Sequence, residues 1–339
     1  MPQRAVVRAV ERLCRDAVDE RALRVAVLDL LVPELRLDAW AWLLTDPVTA
    51  VGTSPVAVVP WFSELPAQVR WKYLSPVNRW TGLRGAVARL HDATGGDLAQ
   101  SDVWREVLRS HGVVDAASVV LQDRWGTWGF LELWRCAPTA PFDPHDAALL
   151  TEVAPVLTAA LRRLVATAFD GPTDSAAAPV VLVLDDQLDV RAQTPQTEAL
   201  LRRLLPVPPG AAPVPAVAYN AAAQLLALEA GVDVGAASAR LGVGEGRWIT
   251  ARATRLGSDI AVVLSPATGA ERLEVFVRAT GLSDREGELV GHLVEGCDTR
   301  EVAARMVLSE HTVQDHLKAV FDKSGVRSRR ALLARALGA

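Results

Sequence analysis

Three polar side chains near the C-terminus, Gln314, Asp315 and Lys318, offer the most specific chemistry in this 339-residue chain. Lys318 lies four residues from Gln314 and three from Asp315, spacings that share one face of a helix. Their groups match the edges of base pairs. A Gln amide pairs bidentately with adenine, a Lys with guanine, and an Asp accepts from cytosine N4. The first turn of such a helix also offers backbone N–H groups to a phosphate, aided by the helix dipole. A second candidate is Asp185-Asp186, which follows the apolar run Val180–Leu184 as a phospho-acceptor would. That chemistry needs a lysine against the acyl phosphate, and no lysine lies between Lys72 and Lys318. Three lysines in all, against thirty-three arginines, also leave no Gly-Lys-Ser or Gly-Lys-Thr for a nucleotide P-loop.

The elements that must hold the first candidate are legible between Gly281 and Ala339. Ser283 is an N-cap type with Glu286 three residues on, the spacing of a capping box. Leu289, Val290, Leu293 and Val294 then form one apolar stripe, and Gly296 closes the helix. Thr299 reads as the cap of a second helix through Val302, Ala303 and Met306. Ser309 caps a third, with Val313, Leu317, Val320 and Phe321 on its apolar side and Gly325 at its end. Ser328 opens a fourth, carrying Leu332, Leu333 and Leu337. Helices over 299–306 and 309–324 joined by a short turn make a helix-turn-helix.

This segment resembles the DNA-binding domain of LuxR/GerE-type transcriptional regulators. The resemblance runs from Leu282-Ser283-Asp284-Arg285-Glu286 through Ser309-x-x-Thr312-Val313-x-x-His316 to Lys323-x-Gly325-Val326-x-Ser328-Arg329. It implies that Gln314, Asp315 and Lys318 face base edges, and that Ser309, Thr312, His316, Lys323 and Arg327 lie toward phosphates. The chain departs from the family at Ser324, where leucine is usual, and at Cys297-Asp298. Residues 281–339 hold nine basic and nine acidic residues, so the module is formally neutral. Non-specific affinity depends on neutralised phosphates, so a lone module is expected to bind weakly and a homodimer adequately.

Half of the chain is apolar and its net charge is −4, so a nucleic-acid-coating role is not indicated outside the C-terminus. No uncharged apolar run reaches the eighteen residues of a membrane span, and the N-terminal MPQRAVVRAVERLCRD lacks the apolar stretch of a signal peptide. Cys14, Cys136 and Cys297 are isolated, which points to a reduced, cytoplasmic setting. His91, His111 and His145 show no metal spacing, and no nucleophile–base pair stands out. Neither a metal, a cofactor nor an enzymatic activity is expected.

Nine of the ten tryptophans precede residue 135. Helices are expected near 4–18 and 20–32, strands over 37–44, 117–122 and 127–134, and a long helix over 144–168. The run Asp123–Arg135, with Pro141-Phe142 and the following helix, resembles the second half of a GAF domain, a fold that binds small molecules against its sheet. Trp61, Trp71, Tyr73 and Trp80 either line such a cavity or fill the core. Leu149, Leu150, Val153, Val156, Leu157, Ala160, Leu161 and Leu164 form a stripe wide enough to suggest a dimer seam.

The middle segment reads as strands over 180–184 and 188–192, helices over 194–205 and 216–229, and strands over 246–253 and 260–264. Its order, with Gly246-Arg247-Trp248-Ile249, resembles a reduced PAS-like domain. Small and Pro/Gly-bearing stretches at Asp170–Pro179 and 265–281 read as linkers. The expected architecture is multidomain α+β: a GAF-like α/β sensor over 1–169, a PAS-like α/β domain over 179–265, and an all-α helix-turn-helix domain over 281–339. The function implied is a one-component transcriptional regulator, a homodimer on double-stranded DNA whose binding is modulated by a small-molecule ligand or a protein signal at the sensor domains. The alternative is a relay whose sensor domains bind another protein.

Overall fold

Apolar runs in the first half of the chain build a sheet between two helical layers. The computed structural model describes residues 3–83, 85–171, 178–206 and 211–338. It opens with α1 (Gln3–Asp16) and α2 (Glu20–Leu35), the latter capped by Asp19, which accepts the Ala22 N–H at 2.7 Å. Then come β1 (Ala39–Thr45), β2 (Gly52–Val58), α3 (Leu65–Leu74), β3 (Val87–Arg89), and the short α4 (Leu90–Ala93) and α5 (Asp102–Glu106). The long hairpin β4 (Val113–Asp123) and β5 (Gly126–Cys136) leads to α6 (Pro144–Thr167). The five strands form an antiparallel sheet in the order β2-β1-β5-β4-β3.

One face of this sheet presents Trp42, Val119, Leu121, Leu131 and Leu133 to a core shared with α1, α2 and α6. The stripe of α6 is consumed there. Leu149, Leu150, Val153, Leu157, Ala160, Leu161 and Leu164 are buried among Val6, Val7, Val10 and Cys14 of α1 and the sheet. The expected dimer seam is therefore corrected: the stripe is wide because α6 is covered on two sides within its own chain. Pro155 sits inside α6 without ending it. The three cysteines are free, and burial, offset in part by Arg163, pushes the Cys14 thiol up to about 11.

The second sheet comprises β6 (Val180–Leu184), β7 (Val190–Gln193), β8 (Ser238–Gly242), β9 (Trp248–Leu256) and β10 (Asp259–Pro266). Its order, β7-β6-β10-β9-β8, repeats that of the first sheet strand for strand, and every pair is antiparallel. Between β7 and β8 lie α7 (Thr197–Leu204) and α8 (Ala216–Glu229). Most of the linker expected at Asp170–Pro179, and residues 207–210 between α7 and α8, lie outside the described residues. Asp185 and Asp186 are engaged elsewhere: Asp185 accepts the Gln187 and Asp189 N–H groups, and Asp186 pairs with Arg255 at 2.6 Å.

α8 is buried almost all round, which suits a helix written AVAYNAAAQLLALE. Its alanines let β2 and α3 of the first module approach on one side and β9 on the other. The two sheets thus share one core. A buried ion pair reinforces the junction. Asp46, in the β1–β2 turn, accepts from Arg240 Nε at 2.6 Å and Nη2 at 3.1 Å. Burial would lower the Arg240 pKa, but Asp46 outweighs it and holds the guanidinium above its usual value. Arg240 also reaches Glu274 on α9 (Gly269–Ala279), the helix that leads into the C-terminal module.

Candidate nucleic-acid interface

The C-terminal module is four short helices: α10 (Asp284–Val294), α11 (Thr299–Met306), α12 (Glu310–Ser324) and α13 (Arg329–Leu337). Each start is fixed by a side chain. Ser283 and Glu286 form a reciprocal capping box on α10. Ser309 Oγ accepts the Thr312 N–H at 3.1 Å on α12, and Ser328 Oγ accepts the Ala331 N–H at 3.2 Å on α13. The cap of α11 differs from the sequence reading. Asp298, not Thr299, is the N-cap, and it forms a capping box with Glu301. The carboxylate one residue upstream reaches the N3 amide at 2.8 Å, leaving Thr299 as the first helical residue.

The turn between α11 and α12 is tight because Val307 takes the left-handed conformation, φ 56°. For a residue other than glycine this costs about 1–2 kcal/mol. Met306, Val302, Val313, Leu317 and Val320 pack beneath the turn and fix the angle between the two helices.

α12 presents Gln314, Asp315 and Lys318 to solvent. Gln314 Nε2 lies 3.4 Å from Thr299 Oγ1, and Asp315 lies 3.7 Å from exposed His311. Lys318 and Arg327 are exposed, with no ion-pair partner among the described residues. Ser309 stands at the N-terminus of α12 beside Thr312, their hydroxyls 2.9 Å apart, and His316 is half-buried one turn on. Lys323 is placed differently from the rest. Its ammonium donates to both oxygens of Glu286, at 2.8 and 2.6 Å, and so ties α12 to the cap of α10. Burial would raise the Glu286 carboxyl, but the Lys323 and Ser283 hydrogen bonds outweigh it and hold the carboxyl below its usual range. To reach a phosphate, Lys323 must leave Glu286.

The module is seated on the rest of the chain by its back. Trp125, at the β4–β5 turn, donates its indole N–H to the Leu282 carbonyl at 3.1 Å, and Arg278 donates to the Trp125 carbonyl at 2.6 Å. Arg162 of α6 lies over the same indole, 4.1 Å from its centroid. Arg335 of α13 donates to the Ala166 carbonyl at 3.1 Å and pairs with Asp170 at 2.8 Å. α13 packs on α9, so the polar face of α12 remains uncovered. Sequence reading also missed one cluster: His292, Glu295 and Cys297 bring possible ligand atoms within 4.8 Å of one another. The Glu295 carboxylate there is already bound by Arg305.

Of the four aromatics expected to line a sensor cavity, Tyr73 and Trp80 meet edge-on with ring centroids 5.8 Å apart. Trp61 is buried, donating to Gln68 Oε1 at 2.9 Å and stacked on His111. Tyr73 is buried, and its hydroxyl accepts the Gly52 N–H at 3.0 Å. Trp71 is half-buried under Arg70. Trp80 alone of the four borders the cavity of about 300 Å³ found between the two modules. Behind it, Lys72 pairs with Glu132 at 2.8 Å and bonds Ser118 at 2.9 Å, while Trp80 donates to Glu132 at 2.8 Å. Glu132, Lys72, Ser118 and Trp80 thus form a hydrogen-bonded polar cluster on the face of the first sheet toward α3.

Residues 280–336 match the family model described as bacterial regulatory proteins, luxR family. This span is a GerE-type helix-turn-helix domain. A probable HTH-type transcriptional regulator, GfsR of Streptomyces halstedii, is 44% identical over 57 residues, which are 17% of this chain. The chain spans about a quarter of the length of that relative, 24%. Two solved structures align over nearly the whole chain at 14% identity and a TM-score of 0.38. They are SdiA in complex with octanoyl-rac-glycerol, over 99% of this chain and 95% of its own, and Escherichia coli SdiA, over 97% and 94%. A superposition this loose carries no conclusion about fold or ligand.

Proposed function

From a C-terminal domain of GerE type, we propose that this chain is a sequence-specific DNA-binding transcriptional regulator of one-component type. One observation carries the proposal: the face of α12 bearing Gln314, Asp315 and Lys318 is polar, exposed and turned away from the helices that seat the module. In this reading these three side chains meet base edges, and Ser309, Thr312, His316 and Arg327 approach phosphates, joined by Lys323 when it leaves Glu286. Two copies on a two-fold site would compensate for the neutral charge of each module. The two preceding α/β modules, GAF-like and PAS-like, act as the sensor. A signal that binds one arrangement of the modules more tightly shifts the population of DNA-competent molecules.

A protein-binding relay is the second reading. It is favoured by exposed Val25, Val58 and Phe62 on the first module. The test is selection of bound duplexes from fragmented source DNA by the full-length chain, at low and physiological salt. A recurrent motif recovered at both salts supports the regulator. Recovery without a motif, vanishing with salt, contradicts it.

A further inference from the structure

The turn that joins α10 to α11 gathers three side chains able to hold a metal ion. We propose that His292, Glu295 and Cys297 bind one Zn²⁺. Such a site stands apart from the regulator reading, and it corrects the expectation of no metal, which rests on His91, His111 and His145.

Local structure brings the three together. α10 ends at Val294, and Gly296 takes the left-handed conformation, φ 92°. The Gly296 N–H donates to the Leu293 carbonyl at 3.2 Å, and the Cys297 N–H to the His292 carbonyl at 3.1 Å. This is a Schellman turn, which folds the chain back over the last turn of its helix. It sets Cys297 beside His292, while Glu295, three residues after His292, shares its face. Arg329 of α13 pins the turn, donating to the Cys297 carbonyl at 2.7 Å and the Leu293 carbonyl at 3.1 Å.

The ligand atoms converge. One atom from each residue lies within 4.8 Å of the other two, and among the described residues this is the one such group of three. His292 Nδ1 is 3.4 Å from Glu295 Oε2. Ligands of a tetrahedral zinc stand roughly 3.3–3.8 Å apart, given bonds of about 2.0–2.3 Å, so Cys297 need swing inward by at most about 1 Å. A buried cysteine usually serves as a small apolar residue. Cys297 differs: it is 4% exposed, its sulfur ends beside an imidazole and a carboxylate, and its thiol has no hydrogen-bond partner among the described residues.

Donor chemistry selects the metal. Thiolate with imidazole suits Zn²⁺, whereas Mg²⁺ and Ca²⁺ take oxygen ligands. The Cys297 proton passes to solvent on binding. Water completes the fourth position on the open side, where Glu295 is 58% exposed. Arg305 must leave Glu295, but both side chains are exposed, and such a pair is worth less than about fivefold in an equilibrium constant. Occupancy therefore frees a cation on α11, the first helix of the helix-turn-helix. It also gives a formally neutral module one net positive charge, two from the ion less one from the thiolate.

Untagged full-length protein would be titrated with Co²⁺, a tetrahedral stand-in for Zn²⁺ whose thiolate complexes absorb in the near ultraviolet. We expect a thiolate-to-cobalt band that saturates at one ion per chain and is displaced by Zn²⁺ but not by Mg²⁺. Cys297→Ala should remove the band, and His292→Ala should weaken binding at least about tenfold. Arg305→Met should tighten it, by up to about fivefold, because Glu295 loses its competitor. Circular dichroism checks the fold of each variant. If Cys297→Ala unfolds, the opposite shifts of His292→Ala and Arg305→Met decide alone. No thiolate band at a large excess of Co²⁺ overturns the proposal. So does a band that survives Cys297→Ala, or an affinity that either of the other two variants leaves unchanged.

Discussion

Arg240→Met should loosen the junction of the two α/β modules, and its cost follows from what Asp46 keeps. Asp46 is fully buried. The substitution removes the side-chain donors at 2.6 and 3.1 Å. The carboxylate retains backbone N–H groups of residue 240 at 2.7 Å, Val48 at 2.8 Å and Thr49 at 3.4 Å. Stranding one partner of a buried pair costs about 3–5 kcal/mol, and the retained amides place this case near 3 kcal/mol. Asp46→Asn in the same background removes the stranded charge and should recover about 1–2 kcal/mol. Glu274→Gln should cost under about 1 kcal/mol, because Glu274 is mostly exposed. Urea unfolding followed by tryptophan fluorescence and far-ultraviolet circular dichroism reads wild type, these variants and Asp46→Asn alone. In Arg240→Met the two probes should cease to coincide, since nine tryptophans report the first module and Trp248 the second. A coincident transition within about 0.5 kcal/mol of wild type, or strict additivity in the double variant, refutes the reasoning.

Two further outcomes are expected. Glu286 is depressed in the folded chain, so its contribution is complete above its unfolded value near 4.3 and is lost as pH falls through the folded one. Lys323→Met should flatten that acid-side loss in thermal melts between about pH 3 and 6, while an unchanged pH dependence would show that the pair contributes nothing. Leu157→Glu buries a charge in the core shared by α1, α6 and the first sheet and should cost more than about 4 kcal/mol, abolishing folding. A soluble monomer with a native melting temperature would restore the dimer-seam reading of α6.

The sequence was most legible where capping chemistry punctuates short helices. Ser283, Ser309, Gly325 and Ser328 mark ends that the structure places within a residue, and only Asp298 was passed over, because adjacent Thr299 is an equally good cap type. The strands that went unseen, β2, β3 and β8, are all edges. Central strands carry continuous apolar runs such as Val180–Leu184, whereas an edge tolerates Pro55 in β2, a residue that argues against a strand when read alone. α3 has no apolar stripe to betray it, since Gln68, Lys72 and Tyr73 are buried together with Val69. The junction could not be read at all: Asp46 and Arg240 lie 194 residues apart. The stripe on α6 was visible, but periodicity reports burial without saying which surface supplies it.

The central claim is that α12 reads bases through Gln314 and Lys318. The direct measurement is binding of wild type, Gln314→Ala and Lys318→Ala to the selected site and to every single-base substitution of it. Each variant is predicted to lose about 1–3 kcal/mol on the selected site and to become indifferent to substitution at one base pair, a different one for each side chain. If both variants discriminate among the substituted sites as wild type does, the face is misassigned and the account fails.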